Sequence, residues 1–276
     1  MLRDVIRPLI PRRLRHWHRM RIDLAYRAKS AWTAELERLR ALPRYRSATT
    51  EMLGYRVEIP DTASFLEMYD EIFVREIFAF RSDRPAPRII DGGANIGLVT
   101  LYYKRTFPDA RVVAFEPDNA IYAVLTRNIE HWGLANVELH RAALAAEEKT
   151  LRFMSEGSYA GRVAREGDPV NGTVAAVRLR RWLEEPVDLL KLNIEGAETE
   201  VLGDCGDLLR NVRRAIIEYH SFAQEPQELS DLLSILREGG FRVHINPVRS
   251  PLRQPLVQRE IVLGMDLQLA IYAYRP

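Results

Sequence analysis

Short apolar runs alternate with longer amphipathic stretches from residue 88 to the end of the chain. The runs favour strands, and the stretches between them, with apolar residues three and four apart, favour helices. The predicted strands are 88–91, 111–115, 137–141, 187–194, 214–219, 241–245 and 267–274, and the predicted helices are 95–106, 118–132, 197–210 and 227–238. This alternation predicts an α/β fold, with a mostly parallel seven-stranded sheet and helices on both faces.

The first part of the chain follows a different pattern. Residues 12–41 place apolar side chains at helical spacing among many arginines, which predicts a basic helical N-terminal arm. After it we expect a linker at 47–50, a short strand at 55–60, and a helix at 64–80 capped by Asp61 or Ser64. We therefore divide the chain into an arm (1–50), a lead-in segment (51–86) and a main domain (87–276).

Two irregular stretches interrupt the main domain. Residues 150–182 contain two strand-like runs, 150–154 and 173–179, around a glycine-rich middle, which predicts an inserted β-hairpin. Residues 247–258 contain prolines and arginines and precede the last predicted strand, which suggests a mobile loop near the substrate.

The composition narrows the class of protein. The chain has one cysteine, Cys205, so an intramolecular disulfide is excluded, and no Cys/His cluster has zinc spacing. The N-terminus lacks the apolar core of a signal peptide, and no apolar run reaches the roughly 18 residues of a spanning helix. We therefore expect a cytoplasmic protein in a reducing compartment.

The net charge of +2 conceals an asymmetry. Residues 1–46 hold 13 Lys and Arg against 4 acids and carry +9, so the remainder carries −7. We interpret the arm as a solvated helix packed by a thin apolar stripe. The alternatives are a peripheral contact with anionic membrane lipids and, through Trp17 and Trp32, pairing with a second copy of the chain. The negative main body disfavours nucleic acid as a partner.

The stretch Asp91-Gly92-Gly93-Ala94-Asn95-Ile96-Gly97 joins a predicted strand to a predicted helix. Its spacing is D-x-G-x-x-x-G, whereas a dinucleotide fingerprint needs G-x-G-x-x-G. Glycine has no Cβ, so the backbone can approach a flat ligand closely. Glu116 ends the next predicted strand, 25 positions after Asp91, where a carboxylate can accept both ribose hydroxyls. Loop and acid together predict a site for S-adenosylmethionine, the alternative being an ordinary strand-to-helix turn.

Polar side chains end the fourth and fifth predicted strands, at the edge where open α/β sheets bind ligands. Because strand side chains alternate, Lys191, Asn193 and Glu195 share one face of the fourth strand. Glu218 and His220 share one face of the fifth. Buried polar groups are costly unless they are paired or functional, so we expect these five residues to gather beside the methyl group of the cofactor.

Four motifs of this chain resemble those of the FkbM-type S-adenosylmethionine-dependent methyltransferases. They lie at 91–97, 115–117, 191–198 and 218–220, and the resemblance covers about residues 65–275. It implies a Rossmann-like class I methyltransferase fold, S-adenosylmethionine as cofactor, and transfer of a methyl group to a hydroxyl of a sugar, glycan, polyketide or related small metabolite. The run 69–78 also resembles the family and is expected to lie over the methionine end of the cofactor.

The resemblance and the strand-end pattern give two sets of expected site residues. The residues expected to bind the cofactor are Asp91, Gly92, Gly93, Ala94, Asn95, Gly97, Glu116, Pro117, Ala142 and Asn193. The residues expected to act in catalysis are His220, Glu195, Glu218 and Lys191. A hydroxyl needs a base, and we expect His220 or Glu195 to take its proton while Glu218 orients the acceptor. The alternatives are a structural role for His220 and, for Lys191, an ion pair with Glu195 or Glu218.

Two residues depart from the family pattern. Asn193 stands where the family usually has Asp, and Arg180 stands where it often has an acid. An amide is a weaker, neutral metal ligand, so we expect no metal. Two other functions remain open at this point. One is a ribose 2′-O-methyltransferase that uses the basic arm, and the other is a cofactor-binding protein with weakened catalysis.

Overall fold

The computed structural model describes residues 32–155, 161–165, 169–248, 253–258 and 260–275 of the chain. Most of the predicted arm, residues 1–31, lies outside the described residues. Residues 32–40 form a helix (α1), as the helical spacing predicts. No helix in the described part of the chain is both long and apolar enough to cross a membrane.

Thirteen strands and five helices follow α1 in the described residues. The strands are β1 (Ala48–Met52), β2 (Tyr55–Ile59), β3 (Arg88–Gly92), β4 (Arg111–Phe115), β5 (Val137–His140), β6 (Ala143–Ala145), β7 (Thr150–Met154), β8 (Arg162–Val163), β9 (Gly172–Arg178), β10 (Leu189–Leu192), β11 (Arg214–Phe222), β12 (Arg242–Pro247) and β13 (Met265–Tyr274). The helices are α2 (Thr62–Tyr69), α3 (Leu98–Thr106), α4 (Asn119–His131), α5 (Glu198–Cys205) and α6 (Leu229–Glu238). A π-helical turn, Asp70–Val74, continues α2, and 3-10 turns at Leu179–Trp182 and Gly206–Asn211 follow β9 and α5.

The large sheet has the order β12-β13-β11-β10-β3-β4-β5. β13 runs antiparallel to both of its neighbours, and the pairs on the other side of β11 are parallel. The chain turns from β3 to β4 on one side and from β10 to β11 on the other, so the switch point lies between β3 and β10. The predicted α/β fold with a mostly parallel seven-stranded sheet is confirmed.

Two apolar cores cover the two faces of this sheet. Successive residues of a strand belong to opposite cores. Ile89 and Val112 lie in one core, and Ile90 and Val113 lie in the other. Helices α3 and α4 pack into the first core, and α5 and α6 into the second. The strands are almost continuously apolar because both faces of the sheet are buried.

The lead-in segment packs on the first core through a hairpin. β1 and β2 pair antiparallel, and Met52 and Val57 are buried with the sheet residues. The expected linker at 47–50 is therefore wrong, because three of its four residues belong to β1. Asn128 on α4 holds the hairpin by accepting a hydrogen bond from the backbone N–H of Glu58 at 2.8 Å.

The predicted helix at 64–80 is shorter than the pattern suggests. Asp61 caps α2 as expected, accepting a hydrogen bond from the Ser64 N–H at 3.1 Å. The α-helix ends at Tyr69, after which the backbone widens into the π-helical turn, closed by a bond from the Arg75 N–H to the Asp70 carbonyl at 2.8 Å. Such turns frequently mark functional sites.

The predicted hairpin insertion is confirmed by the antiparallel pairing of β7 with β9. The structure adds β6 and β8 to it, making a separate sheet of order β6-β9-β7-β8. The pairing of β6 with β9 is parallel and joins residues far apart in sequence, which local patterns do not show.

Candidate active site

A cavity of about 650 Å³ opens at the carboxyl ends of β3, β4, β10 and β11. This is the position at which α/β sheets with a switch point bind ligands. Its volume is within the usual range for a small-molecule site. The N-terminal segment and the inserted sheet also contribute to its lining. The strand ends therefore supply only part of the walls.

The glycine loop lies against β10. Gly93 has a φ of +77°, and a Cβ built there would be 1.8 Å from the carbonyl oxygen of Asn193. Close approach to a flat ligand is thus only part of the reason for a glycine at this position, because the chain's own backbone already excludes a side chain. Gly97 has a φ of +93° and immediately precedes α3, which is why that helix begins at Leu98 rather than at 95.

Replacing Gly93 with alanine is expected to destabilise the fold by about 2–4 kcal/mol and to abolish cofactor binding. The added Cβ must displace the β10 backbone, and the left-handed conformation is strained for alanine. Thermal unfolding and calorimetric titration with S-adenosylmethionine measure the two effects. Gly133→Ala is the control, since that glycine also has a positive φ, +61°, but open space around its Cβ position. Equal effects in the two variants would contradict the steric explanation.

Glu116 lies at the end of β4 and lines the cavity. Its carboxylate accepts hydrogen bonds from the backbone N–H groups of Asn95 at 3.0 Å and Asp118 at 2.9 Å. Burial raises the pKa of Glu116 to about 7, although these hydrogen bonds act to lower it. A carboxylate has about four acceptor positions, so each oxygen keeps one for a ligand. The geometry fits the predicted contact with a pair of ribose hydroxyls.

Lys191 on β10 organises the glycine loop. Its ammonium lies 3.1 Å from Asp91 Oδ1 and donates to the carbonyl oxygens of Gly92 at 3.1 Å and Gly93 at 2.6 Å. Two of the N–H groups of the ammonium thus bind loop carbonyls, while its contact with Asp91 is an ion pair between buried groups. Lys191 therefore forms an ion pair with a strand-end carboxylate, as one alternative predicted, but the partner is Asp91 rather than Glu195 or Glu218.

Glu218 on β11 holds two amide side chains in place. One oxygen accepts from Asn193 Nδ2 at 2.9 Å, and the other from Gln268 Nε2 at 2.6 Å. The carboxylate fixes the orientation of the Asn193 amide, because the flipped amide would set oxygen against oxygen. The Oδ1 atom of Asn193 is buried and has no hydrogen-bond partner among the described residues. The structure thereby leaves one buried carbonyl acceptor unpaired among the described residues, on a residue that lines the cavity.

Replacing Asn193 with aspartate is expected to place two carboxylates about 3 Å apart, where both cannot stay ionised. The pair should retain a proton, so its pKa rises and the variant loses stability as the pH increases. We expect a loss of about 1–3 kcal/mol between pH 5 and pH 8 relative to the parent protein. Thermal unfolding across this range, with and without a chelator, measures it. An increase in methyl transfer would contradict this view and favour the alternative that Asn193 weakens catalysis.

His220 is buried beneath the cavity and does not line it. Its Nδ1 lies 3.1 Å from Glu198, and its Nε2 lies 3.6 Å from Glu218 and 3.9 Å from Glu195. Burial acts to lower the pKa of His220, but these carboxylates raise it well above its ordinary value. The surrounding carboxylates therefore favour the protonated form of the ring, which lies between the three acids.

Glu195 follows β10 in a left-handed conformation, with a φ of +57°. Glu198, the first residue of α5, accepts hydrogen bonds from the N–H groups of Ile194 and Gly196 on either side of it, at 3.0 and 3.2 Å. Glu198 thus does more than carry a charge at a helix N-terminus. Burial, together with the charges of Glu218 and Glu198, raises the pKa of Glu195 to about 7, although His220 acts to lower it.

The expected site residues divide into a lining set and a supporting set. Those that line the cavity are Gly93, Ala94, Asn95, Glu116, Pro117, Ala142, Lys191, Asn193, Glu195 and Glu218. Asp91, Gly92, Gly97 and His220 do not line it and lie behind the lining residues. Arg180 does not line the cavity either. Its guanidinium lies 3.8 Å from Asp204.

The sequence did not single out several of the residues that line the cavity. Gln268 lies on β13, in register with His220 on β11, and its only sequence signal is a polar residue in an alternating strand. The inserted sheet contributes Phe153 and Arg162, for which we find no sequence signal. Glu71 comes from the π-helical turn, within the run that resembles the family.

The comparisons with known proteins agree with this geometry. A family model described as the methyltransferase FkbM domain matches residues 91–243. The chain belongs to the FkbM methyltransferase family. That match contains the glycine loop, Glu116 and every expected catalytic residue, so the site described above is the site of an FkbM domain.

Two fungal proteins are similar to this FkbM methyltransferase. Methyltransferase sdnD of Sordaria araneosa is 31% identical over 52% of this chain and 72% of its own length. Methyltransferase 1 of Beauveria bassiana is 27% identical over 51% of this chain and 67% of its own length. Among solved structures, a methyltransferase FkbM from Methylobacillus flagellatus matches with a TM-score of 0.48 and 16% identity. That match covers 74% of this chain and only 48% of the other.

S-adenosylmethionine is the cofactor of this methyltransferase, and the cavity fits it. Glu116 offers acceptors for ribose hydroxyls, and the loop backbone at Gly93 to Asn95 lines the same space. The described residues contain no group of three or more His, Cys, Asp or Glu side chains that could hold a metal ion. The expectation that no metal takes part stays a prediction, which the N193D experiment with a chelator addresses.

Proposed function

We propose that this FkbM methyltransferase transfers a methyl group to a hydroxyl of a sugar, glycan or other small hydroxylated metabolite, with Glu195 as the general base. The observation that carries the proposal is a half-buried glutamate on the cavity wall with a pKa raised to about 7. A base is most effective when its pKa lies near the working pH. A hydroxyl is a poor nucleophile until its proton has such a destination.

Glu195 is favoured over His220 for this step. His220 does not line the cavity, and the surrounding carboxylates raise the pKa of its ring well above the ordinary value, although burial acts to lower it. Glu195 lines the cavity and changes its protonation state near neutral pH. His220 instead supports Glu218. Burial acts to raise the pKa of Glu218, but His220, Lys191 and Gln268 lower it below its ordinary value.

The other residues bind and orient. Glu116 and the glycine loop would hold the adenosyl part, with Lys191 keeping the loop carbonyls in place. When bound, S-adenosylmethionine supplies an activated methyl group on a sulfonium. Glu195 would take the proton of the acceptor hydroxyl while the hydroxyl oxygen bonds to that methyl group and the methyl–sulfur bond breaks, which leaves S-adenosylhomocysteine. Alignment of the two reacting atoms is the remaining contribution of the cavity.

The proposal is tested by incubating the protein with S-adenosylmethionine carrying a ¹³C methyl group and a panel of sugars, glycosides and phenolic or aliphatic alcohols. We expect a methyl ether, identified by its ¹³C chemical shift, together with an equal amount of S-adenosylhomocysteine. Label on nitrogen or carbon would contradict hydroxyl methylation. Binding of the cofactor without turnover of any panel member would favour the weakened-catalysis alternative.

A further inference from the structure

Arg165 joins the inserted sheet to the loop that carries the proposed base. It follows β8, the strand of that sheet whose residues Arg162 and Val163 line the cavity. Arg165 does not line the cavity itself. Its guanidinium donates a hydrogen bond from Nη2 to the backbone carbonyl of Glu195 at 3.3 Å. The proposed base is therefore in contact with a part of the chain that lies outside the large sheet.

The guanidinium of Arg165 is fixed by two further contacts near the end of β11. Its Nη1 forms an ion pair with Glu225, and its central carbon lies over the ring of Phe222, 3.6 Å from the ring centre. A flat guanidinium at this distance gains from both cation–π attraction and stacking on the ring. These contacts leave the Arg165 side chain only 21% exposed. A guanidinium held in this way can direct one N–H group at one carbonyl.

Gly196, the residue after the proposed base, makes room for this arrangement. It has a φ of +99°, and a Cβ built there would collide with the guanidinium of Arg165 and lie 2.9 Å from the ring of Phe222. A side chain at position 196 would therefore displace the arginine from the carbonyl of Glu195. The glycine is thus required both by the backbone conformation and by the approach of Arg165.

The backbone at Glu195 needs support from its surroundings. Its φ of +57° lies in the left-handed region, which is unfavourable for a residue with a side chain and persists only where neighbouring groups hold it. The peptide group between Glu195 and Gly196 is held at both of its polar atoms. Glu198 accepts from its N–H at 3.2 Å, and Arg165 donates to its carbonyl at 3.3 Å. One of these two supports comes from α5 and the other from the inserted sheet.

We propose that Arg165 is a positioning residue for methyl transfer, which keeps the carboxylate of Glu195 directed at the acceptor hydroxyl by fixing the backbone carbonyl of the same residue. This inference rests on the proposed function and gives the inserted sheet a part in orienting the base. A base acts only within hydrogen-bond reach of the proton that it removes. Misplacement of a reacting group by about 1 Å can cost on the order of 10²-fold in rate.

The test is a cycle of four proteins, namely the parent, Arg165→Met, Glu195→Gln and the double variant. Each is saturated with the ¹³C-methyl cofactor and mixed with the panel alcohol that gives the most methyl ether with the parent protein, and the single-turnover rate is measured. We expect R165M to lower the rate about 10–100-fold in the parent but less than about twofold in E195Q, which has no base left to position. The affinity for S-adenosylhomocysteine, measured by calorimetry, should change less than about threefold.

Hydrogen exchange gives a second readout that needs no acceptor. In protein saturated with S-adenosylhomocysteine, the Gly196 amide should exchange about tenfold faster in R165M than in the parent protein, because its loop opens more often. Arg152→Met is the matched control, since Arg152 is exposed on β7 of the same inserted sheet and does not line the cavity. It should change neither the rate of methyl transfer nor the exchange of this amide.

An equal loss of rate from R165M in both backgrounds would overturn the inference, because Arg165 would then act on the fold or on the acceptor rather than through Glu195. Unchanged rate and exchange in R165M would overturn it too. So would a loss of S-adenosylhomocysteine affinity in R165M, which would make Arg165 part of the cofactor site. An E195Q variant that kept the rate of the parent protein would instead count against the proposed function.

Discussion

Replacing Glu195 with glutamine is expected to lower kcat by about 10²–10⁴-fold, with the Kd for S-adenosylmethionine changed by less than about threefold. Glutamine keeps the size and the polar contacts of the side chain but cannot accept the proton of the acceptor hydroxyl. A rate effect without a binding effect is the signature of an interaction made in the transition state. Single-turnover kinetics with the ¹³C-labelled cofactor measure the rate, and calorimetry measures the affinity.

The pH profile separates a base from a residue that merely supports the cavity. Only the ionised form of a base is active, so kcat/KM of the parent protein should rise as the pH increases through about 7 and then level off. The profile of E195Q should lack this rise. Glu200→Gln is the control, because Glu200 is exposed on α5 and does not line the cavity. If E195Q kept the rise and His220→Asn removed it, His220 would be the base.

Replacing Lys191 with methionine is expected to destabilise the fold by about 3–5 kcal/mol and to prevent cofactor binding. The cause is the environment of Asp91, which is fully buried and whose paired cation is Lys191 at 3.1 Å. Without the ammonium, a carboxylate remains in the core, the Gly93 carbonyl loses the ammonium donor, and the Gly92 carbonyl keeps only the Asn193 N–H. Denaturant unfolding at neutral pH measures the loss, and titration with S-adenosylmethionine reports on the loop.

A double variant provides the matched control for this prediction. Asp91→Asn with Lys191→Met removes both charges, so the penalty of a lone buried charge disappears and a large part of the stability should return. Cofactor binding should stay weak, because the loop carbonyls still lack the ammonium donor. A single K191M variant as stable as the parent protein would show that the ion pair is not what holds this part of the core.

The residues that fit the cofactor could be predicted from the sequence because they are close neighbours along the chain. The glycine loop and Glu116 lie at the ends of strands with strong apolar patterns, and the alternation of elements places consecutive strand ends at one edge. The predicted loop, the acid and the seven strands therefore all reappear in the structure. The sequence showed only part of the role of Gly93. The group that excludes a side chain at this position is the backbone carbonyl of Asn193, 100 residues later.

The rest of the cavity lining depends on contacts between distant elements. Glu71, Arg162 and Gln268 reach the cavity from the π-helical turn, the inserted sheet and the antiparallel strand β13. No local pattern shows which carboxylate Lys191 meets, and the choice of Asp91 over Glu195 follows from the β10–β3 register, in which Lys191 is opposite Asp91. The proposal of Glu195 rather than His220 as the base also depends on such contacts, since the charges around His220 come from three separate positions.

By itself, the sequence of this FkbM methyltransferase determined the α/β fold, the nature of the cofactor and the set of strand-end polar residues. These follow from periodicity and spacing, which are properties of neighbouring residues. Only the tertiary structure decided which of those residues carry charge, which support others and which face the cavity. Burial and the partners of each group set its pKa and its exposed atoms, and both depend on elements that the fold brings together from far apart in the chain.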